Sequence, residues 1–109
     1  MILSEFSKFL KQYDNEILTK KIDPLELLHL WLETILSVQP KTDTQKIIHK
    51  EILYCKNPQN DYIIIGKSES GRILVKTLIE FSNSYSNYMH SKWINMTEQA
   101  LYSSNSAQE

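Results

Sequence analysis

Glycine and proline, the residues that most often form turns, are scarce in this sequence, which has two glycines and three prolines in 109 residues. An all-β sandwich needs many short strands joined by turns, so this shortage argues against that class and favours long helices. The chain has the length of one domain, and its character does not change along that length. We therefore expect one mostly helical domain.

Cysteine and long apolar runs are also lacking. Cys55 is the only cysteine, so the chain cannot form an internal disulfide, which suits a reducing cytosol. No run approaches the roughly 20 apolar residues of a membrane-spanning helix. Glu5, Lys8 and Lys11 interrupt the apolar stretch that a signal peptide would need. The sequence predicts a cytoplasmic protein that does not contact a membrane.

Arginine is nearly absent as well, since Arg72 is the only one among 12 basic residues, and the net charge is −1. The charges are unevenly placed: residues 41–76 carry seven Lys or Arg against four Asp or Glu, between two mildly acidic ends. Nucleic-acid binding normally depends on clustered Lys and Arg, and an excess of three is small. A regulatory protein that contacts nucleic acid through residues 41–76 is therefore the alternative function and not the main one.

Apolar residues at helical spacing, in contrast, are abundant, and they predict three helices in the first half of the chain. The first covers about residues 2–18. The pair Asp23-Pro24 is a good start for the second, with Asp23 as the N-cap, and Pro40 ends it. Thr42 and Gln45 have the spacing of a capping box and open the third, which ends near residue 55. The expected core comprises Leu28, Leu32, Ile48, Leu74 and Leu78.

The longest apolar stripe runs from about Ser68 to Tyr102 and predicts one long C-terminal helix. Its members recur at steps of three and four: Leu74, Leu78, Phe81, Tyr85, Tyr88, Met89, Trp93, Met96 and Ala100. The weakest point of this helix by propensity is Ser82–Ser84, where it could break.

Residues 57–79 allow two interpretations. In the first, Asn57-Pro58 caps a short helix that ends at Gly66 with a positive φ. In the second, β-branched residues at 62–65 and 73–79 form a hairpin. The predicted fold is therefore an all-α bundle of four to five helices with a long C-terminal helix, over residues 1–102. The alternative is an α+β fold with one β-hairpin at about 62–79. Residues 103–109 are expected to be a disordered tail.

The residues that usually carry chemistry do not form a recognisable site. Gly66-Lys67-Ser68 resembles the end of a phosphate-binding loop, but Asp61 stands where that loop needs a glycine. The three histidines lie on different predicted helices, without the spacing of metal ligands. Cys55 has no histidine at helical spacing that could activate it. We expect no catalytic residue, no metal and no cofactor, and therefore no enzyme.

The length of the last helix indicates a function instead. A helix of about 35 residues is about 52 Å long, whereas the other helices measure about 18 to 25 Å and cannot cover its whole apolar face. If the helix does not break, its second half presents a bare apolar patch, which usually marks a partner surface. The expected partner-binding residues are Tyr85, Tyr88, Met89, Trp93 and Met96. The sequence thus predicts a small non-enzymatic interaction protein of the adaptor, chaperone or immunity-inhibitor kind, which binds a protein partner or forms a homodimer.

Overall fold

The computed structural model describes the backbone of residues 1–108 and the side chains of residues 1–101. Helices make up 69% of the chain and strands 10%, so the expectation of a mostly helical protein is confirmed. The elements follow one another as α1 (Ile2–Lys11), α2 (Asp14–Leu18), α3 (Pro24–Leu36), α4 (Asp43–Glu51), β1 (Ile52–Lys56), β2 (Tyr62–Gly66) and α5 (Glu69–Gln108).

Both predicted helix starts are present. The Asp23 side chain accepts a hydrogen bond from the Leu25 backbone N–H at 2.9 Å, and α3 begins at Pro24. Thr42 and Gln45 form the complete capping box at the start of α4. These signals are local, since each cap satisfies backbone N–H groups of its own first turn. The predicted first helix is divided in two, because α1 ends at Lys11 and α2 begins at Asp14.

The third predicted helix is too long and the short fourth one is wrong, because a β-hairpin occupies this part of the chain. α4 ends at Glu51, and β1 pairs antiparallel with β2 in a register that joins Ile52 to Gly66 and Lys56 to Tyr62. In the loop between them, the Asn60 N–H donates to the Asn57 carbonyl at 2.9 Å. Asn60 has a φ of 69°, a conformation that asparagine tolerates better than most residues.

The alternative fold correctly predicts one β-hairpin but places this hairpin wrongly along the chain. Residues 62–65 lie in a strand, but the partner strand comes before them and not after them. Ile73 to Ile79 belong to α5, where Leu78 is fully buried. The alternation of β-branched residues at 73–79 is therefore overridden by the helical stripe that begins at Leu74.

Gly66 is required for a reason other than the predicted positive φ, which no glycine in the described chain has. It lies in β2, where the backbone of α5 passes very close. A Cβ atom added to Gly66 would stand 2.2 Å from the Arg72 nitrogen, and one added to Gly71 would stand 2.4 Å from the Glu51 carbonyl oxygen. The two glycines let the hairpin and the first turn of α5 touch through their backbones.

The core lies between α5 and the N-terminal helices. Four of the five expected core residues (Leu28, Leu32, Ile48 and Leu78) are fully buried, and Leu74 is half-buried against them. The other buried apolar residues are Phe6, Leu10, Ile17, Leu27, Trp31, Ile35, Ile52 and Met89. The Phe6 ring packs against the rings of Trp31 and Phe81, with centroids 5.0 and 5.9 Å away, and so joins α1 to α3 and α5.

α5 is one continuous helix, and it sets the length of the molecule. It does not break at Ser82–Ser84, since Ser82 is buried and its hydroxyl donates to the Leu78 carbonyl at 2.9 Å. Forty residues at 1.5 Å per residue give about 60 Å, and the molecule measures 61 × 32 × 24 Å. The predicted tail at 103–109 lies outside the residues whose side chains are described, so it stays a prediction.

Candidate functional site

The apolar stripe of α5 changes from buried to exposed after Met89. Met89 is 2% exposed and belongs to the core, whereas Trp93 is 41% and Met96 50% exposed. Trp93 and Met96 follow Met89 at steps of four and three, so they continue the same helix face. The core thus covers this face only as far as Met89, and the stripe extends beyond it.

We call residues 91–101 the projecting segment. All of its side chains are exposed except that of Thr97, which is half-buried and donates its hydroxyl hydrogen to the Trp93 carbonyl at 2.9 Å. Ile94 and Leu101 add apolar surface on the other side of this segment. A helical end of this length is marginal in water without packing. The projecting segment therefore gains stability from any surface that packs on it.

Tyr85 supports the fold more than it offers a surface. Its side chain is half-buried, and its hydroxyl donates to the Asp14 carboxylate of α2. Burial raises the pKa of Tyr85, and the hydrogen bond to Asp14 raises that pKa further. The neutral phenol is thus the form that the folded protein stabilises.

The five expected partner-binding residues therefore divide between the core and the surface. Tyr88, Trp93 and Met96 are exposed, Tyr85 is half-buried, and Met89 is buried where a partner cannot reach it. Ile94 and Leu101 are exposed residues that the stripe did not include, because they lie on the opposite side of the helix. The only sign of these two residues in the sequence is that each is apolar and falls on the face of the helix that points away from the predicted core.

An apolar groove of about 550 Å³ lies at the other end of α5, and we call it the N-terminal groove. It is formed by the first residues of α1, the start of α4 and the first two turns of α5, with Ile2, Leu3, Ile47, Ile73, Leu74 and Thr77 among its lining residues. Ile73 is 61% exposed there. The motifs in the sequence did not reveal this groove, because its three walls come from distant parts of the chain.

The histidines take structural positions or lie on the surface. The His49 Nε2 donates to the Ile35 carbonyl at 2.8 Å, and the His29 Nδ1 lies 3.2 Å from the Tyr54 hydroxyl. His90 is exposed on α5. Among the described residues, no group of three or more His, Cys, Asp or Glu side chains is placed to hold a metal ion.

The stretch that resembled a phosphate-binding loop instead joins α4 to α5. The Glu51 carboxylate accepts hydrogen bonds from the Ser68 and Ser70 hydroxyls at 2.7 and 2.9 Å. These two bonds are the main reason that the pKa of Glu51 is lowered. The Lys67 Nζ donates to the His49 carbonyl at 3.0 Å. A carboxylate at the centre of this network disfavours phosphate and fixes the start of α5.

The basic segment 41–76 is spread over four elements, and some of its lysines contact other groups of the same chain. The Lys56 ammonium lies 5.0 Å from the centre of the Tyr62 ring, and Lys67 is bonded to His49. Lys76 pairs with Glu80 at 4.0 Å on the surface of α5. Nucleic-acid binding through this segment remains an untested alternative, and no contact described in it favours that function. A steep loss of binding with added salt would identify it.

Among the residues that the structure describes, no helix combines the length and the apolar character needed to cross a membrane. Comparison of the chain with protein-family models, with curated proteins and with solved structures finds no match. The geometry of the molecule itself is therefore what supports a function.

Proposed function

We propose that this protein is a non-enzymatic interaction module that binds through the projecting segment of α5, in the first place to a second copy of itself. The observation that carries the proposal is the stripe that continues past the last residue the core covers, from buried Met89 to exposed Trp93 and Met96. Tryptophan, tyrosine and methionine are enriched in protein interfaces. A small adaptor, a chaperone or an immunity-type inhibitor would use such a surface.

The expected energy of this contact is large enough to measure. Burial of a Trp or a Met side chain contributes roughly 2–3 kcal/mol each. In a symmetric pair both copies bury these side chains, so each substitution acts twice. Packing would also hold the exposed end of the helix in shape.

The test replaces Trp93 and Met96 together with serine and measures mass by light scattering at several concentrations. The wild type should exceed the 12.8 kDa of one chain, and the double variant should approach that value while it keeps its helical circular dichroism. The control replaces Leu30 and Val38 with serine, because both are exposed apolar residues away from α5, and it should behave like the wild type. A wild type with the mass of one chain at every concentration would refute the proposal.

A further inference from the structure

The apolar residues of the projecting segment fall on two neighbouring stripes of α5. The first stripe continues the face that the core covers, through Met89, Trp93, Met96 and Ala100. Each of these residues is followed directly in the chain by a member of the second stripe, which comprises His90, Ile94, Thr97 and Leu101. One residue turns an α-helix by about 100°, so the second stripe lies about 100° around the helix from the first.

The two stripes divide the projecting segment into an apolar arc and a polar arc. At about 100° per residue, every apolar residue of 91–101, together with Thr97, lies within about 80° of the line midway between the stripes. The remaining residues lie about 120° or more from that line: Ser91, Lys92, Asn95, Glu98 and Gln99. The apolar arc is therefore about 160° wide. One neighbouring helix covers a narrow seam, whereas an arc of this width is typical of a helix with two neighbours in a bundle.

The core restricts how a neighbour can lie on the first stripe. Met89 belongs to that stripe and is buried by the core, so another helix can pack there only beyond Met89. Packed helices lie about 8–10 Å apart, whereas the molecule measures 32 × 24 Å across its long axis. A parallel neighbour would therefore bring its own core into the space that the first core fills. An antiparallel neighbour places the two cores at opposite ends.

The angle between the stripes indicates how many copies take part. A closed ring in which every neighbour is antiparallel contains an even number of helices. The directions from one helix to its two neighbours differ by about 90° in a ring of four and by about 120° in a ring of six. The angle of about 100° between the stripes is nearer to that of four. Four copies related by two-fold axes form one of the commonest closed assemblies.

The surface areas favour four copies over two. Four apolar residues of the projecting segment are on average about half exposed: Trp93, Met96, Ile94 and Leu101. Half of a side chain of this size is roughly 100 Å². A pair joined by the first stripe alone would bury about 400 Å² in total, well below the roughly 1,000 Å² of a specific interface. Four copies that bury both stripes reach about 1,600 Å².

The charges agree with a bundle of identical helices. Lys92 and Glu98 are the only charged residues of 91–101, and each lies about 120° from the middle of the apolar arc. Both stay in water when the arc is covered, so the copies bring no like charges together. A membrane surface is a less suitable partner, because helices that bind anionic lipid carry a polar face rich in Lys and Arg.

We propose that the projecting parts of four copies of this chain form an antiparallel four-helix bundle. The first stripe of each copy contacts one neighbour, and the second stripe contacts the other. The inference rests on the proposed function and adds the number of copies, their orientation and a role for Ile94 and Leu101.

The first test measures mass by light scattering as the concentration rises. The wild type should reach about four times the 12.8 kDa of one chain. Ile94→Ser with Leu101→Ser removes the apolar side chains of the second stripe, so this variant should not exceed two chains while its circular dichroism stays that of the wild type. Ser91→Ala with Asn95→Ala, on the polar arc, is the matched control and should keep the mass of four chains.

The outcomes separate this inference from the proposed function. A wild type that stops at two chains would overturn the inference while the proposed function survives. An Ile94 and Leu101 variant that keeps the mass of four chains would do the same. A wild type that stays at one chain would remove both.

The second test measures the length of the assembly by small-angle X-ray scattering. α5 continues for 19 residues after Met89, up to Gln108, which is about 28 Å. Two molecules of 61 Å that overlap over this length give a particle about 95 Å long. A parallel bundle would instead keep a maximum dimension near the 61 Å of one molecule, and that result would overturn the inference.

Discussion

The substitution Gly66→Ala tests the contact between the hairpin and α5 most directly. The new Cβ would stand 2.2 Å from the Arg72 nitrogen and 2.3 Å from the Gly71 carbonyl carbon, whereas ordinary contacts measure 3.4–4 Å. Both neighbours are backbone atoms, so no side chain can turn aside to make room. The hairpin and the first turn of α5 would have to separate by about 1 Å. That separation also strains the hydrogen bond from the Lys67 N–H to the Glu51 carbonyl, which is 2.8 Å long.

The expected cost follows from this geometry. Overpacking of a rigid site costs about 1–3 kcal/mol, and two backbone clashes together place Gly66→Ala near the upper end. This is a large part of the total stability of a domain, about 5–15 kcal/mol. The sign of the change in the free energy of unfolding is informative, because Gly66 has no positive φ that alanine would strain. Without the clash, alanine would stabilise the protein by about 0.4–1 kcal/mol through the unfolded chain.

The assay is urea unfolding followed by far-UV circular dichroism, at one fixed protein concentration because self-association adds to apparent stability. Ser84→Ala, on the exposed side of α5, is the control and should unfold within about 0.5 kcal/mol of the wild type. If Gly66→Ala unfolds at the wild-type midpoint or above it, the close approach of the two backbones does not exist and the argument is wrong.

Two further predictions concern the core and the contact between α2 and α5. Leu32→Ala should lower the free energy of unfolding by about 2–5 kcal/mol, because Leu32 is fully buried in α3. Leu30→Ala, at an exposed position of the same helix, should lower it by less than about 1 kcal/mol. Equal melting temperatures of the two variants would contradict a central α3. Tyr85→Phe removes the hydrogen bond to Asp14 and should lose about 1.5–3 kcal/mol in urea unfolding. The folded state raises the pKa of Tyr85 above the ordinary 10.0, so its stabilisation is complete below about that pH and is lost as the pH rises. The stability of Tyr85→Phe should therefore fall less steeply at alkaline pH than that of the wild type.

Those parts of the fold that depend on neighbouring residues could be predicted from the sequence. Asp23 and Thr42 cap the helices that follow them, and each needs only a backbone N–H two or three residues away. The alternative fold includes a hairpin with a strand at residues 62–65 but not its first strand, because β1 continues the apolar pattern of α4 without a break. The turn residues Asn57 and Asn60 were the available signal, since they separate two short runs of β-branched and aromatic residues.

The candidate site was predictable as a stripe but not in its extent. Spacing alone places Met89, Trp93 and Met96 on one face. How far the core covers that face depends on where α2 ends and how it packs, because α2 brings buried Ile17 to the core that also holds Met89. The N-terminal groove depends on three distant segments in the same way. Periodicity therefore identifies a face, and tertiary packing decides which part of it is free.

The position of α5 at the end of the chain has a consequence for the kinetics of folding. Asp14 and Tyr85 are hydrogen-bonded across 71 residues of sequence, and Phe6 packs against Phe81 over a similar separation. Closing loops of that length is slow, so this helical protein should fold more slowly than a bundle with local contacts. During synthesis α1 and α3 leave the ribosome well before α5 exists. Their apolar faces then lack their main cover, and in that interval the chain is most exposed to aggregation and to chaperones.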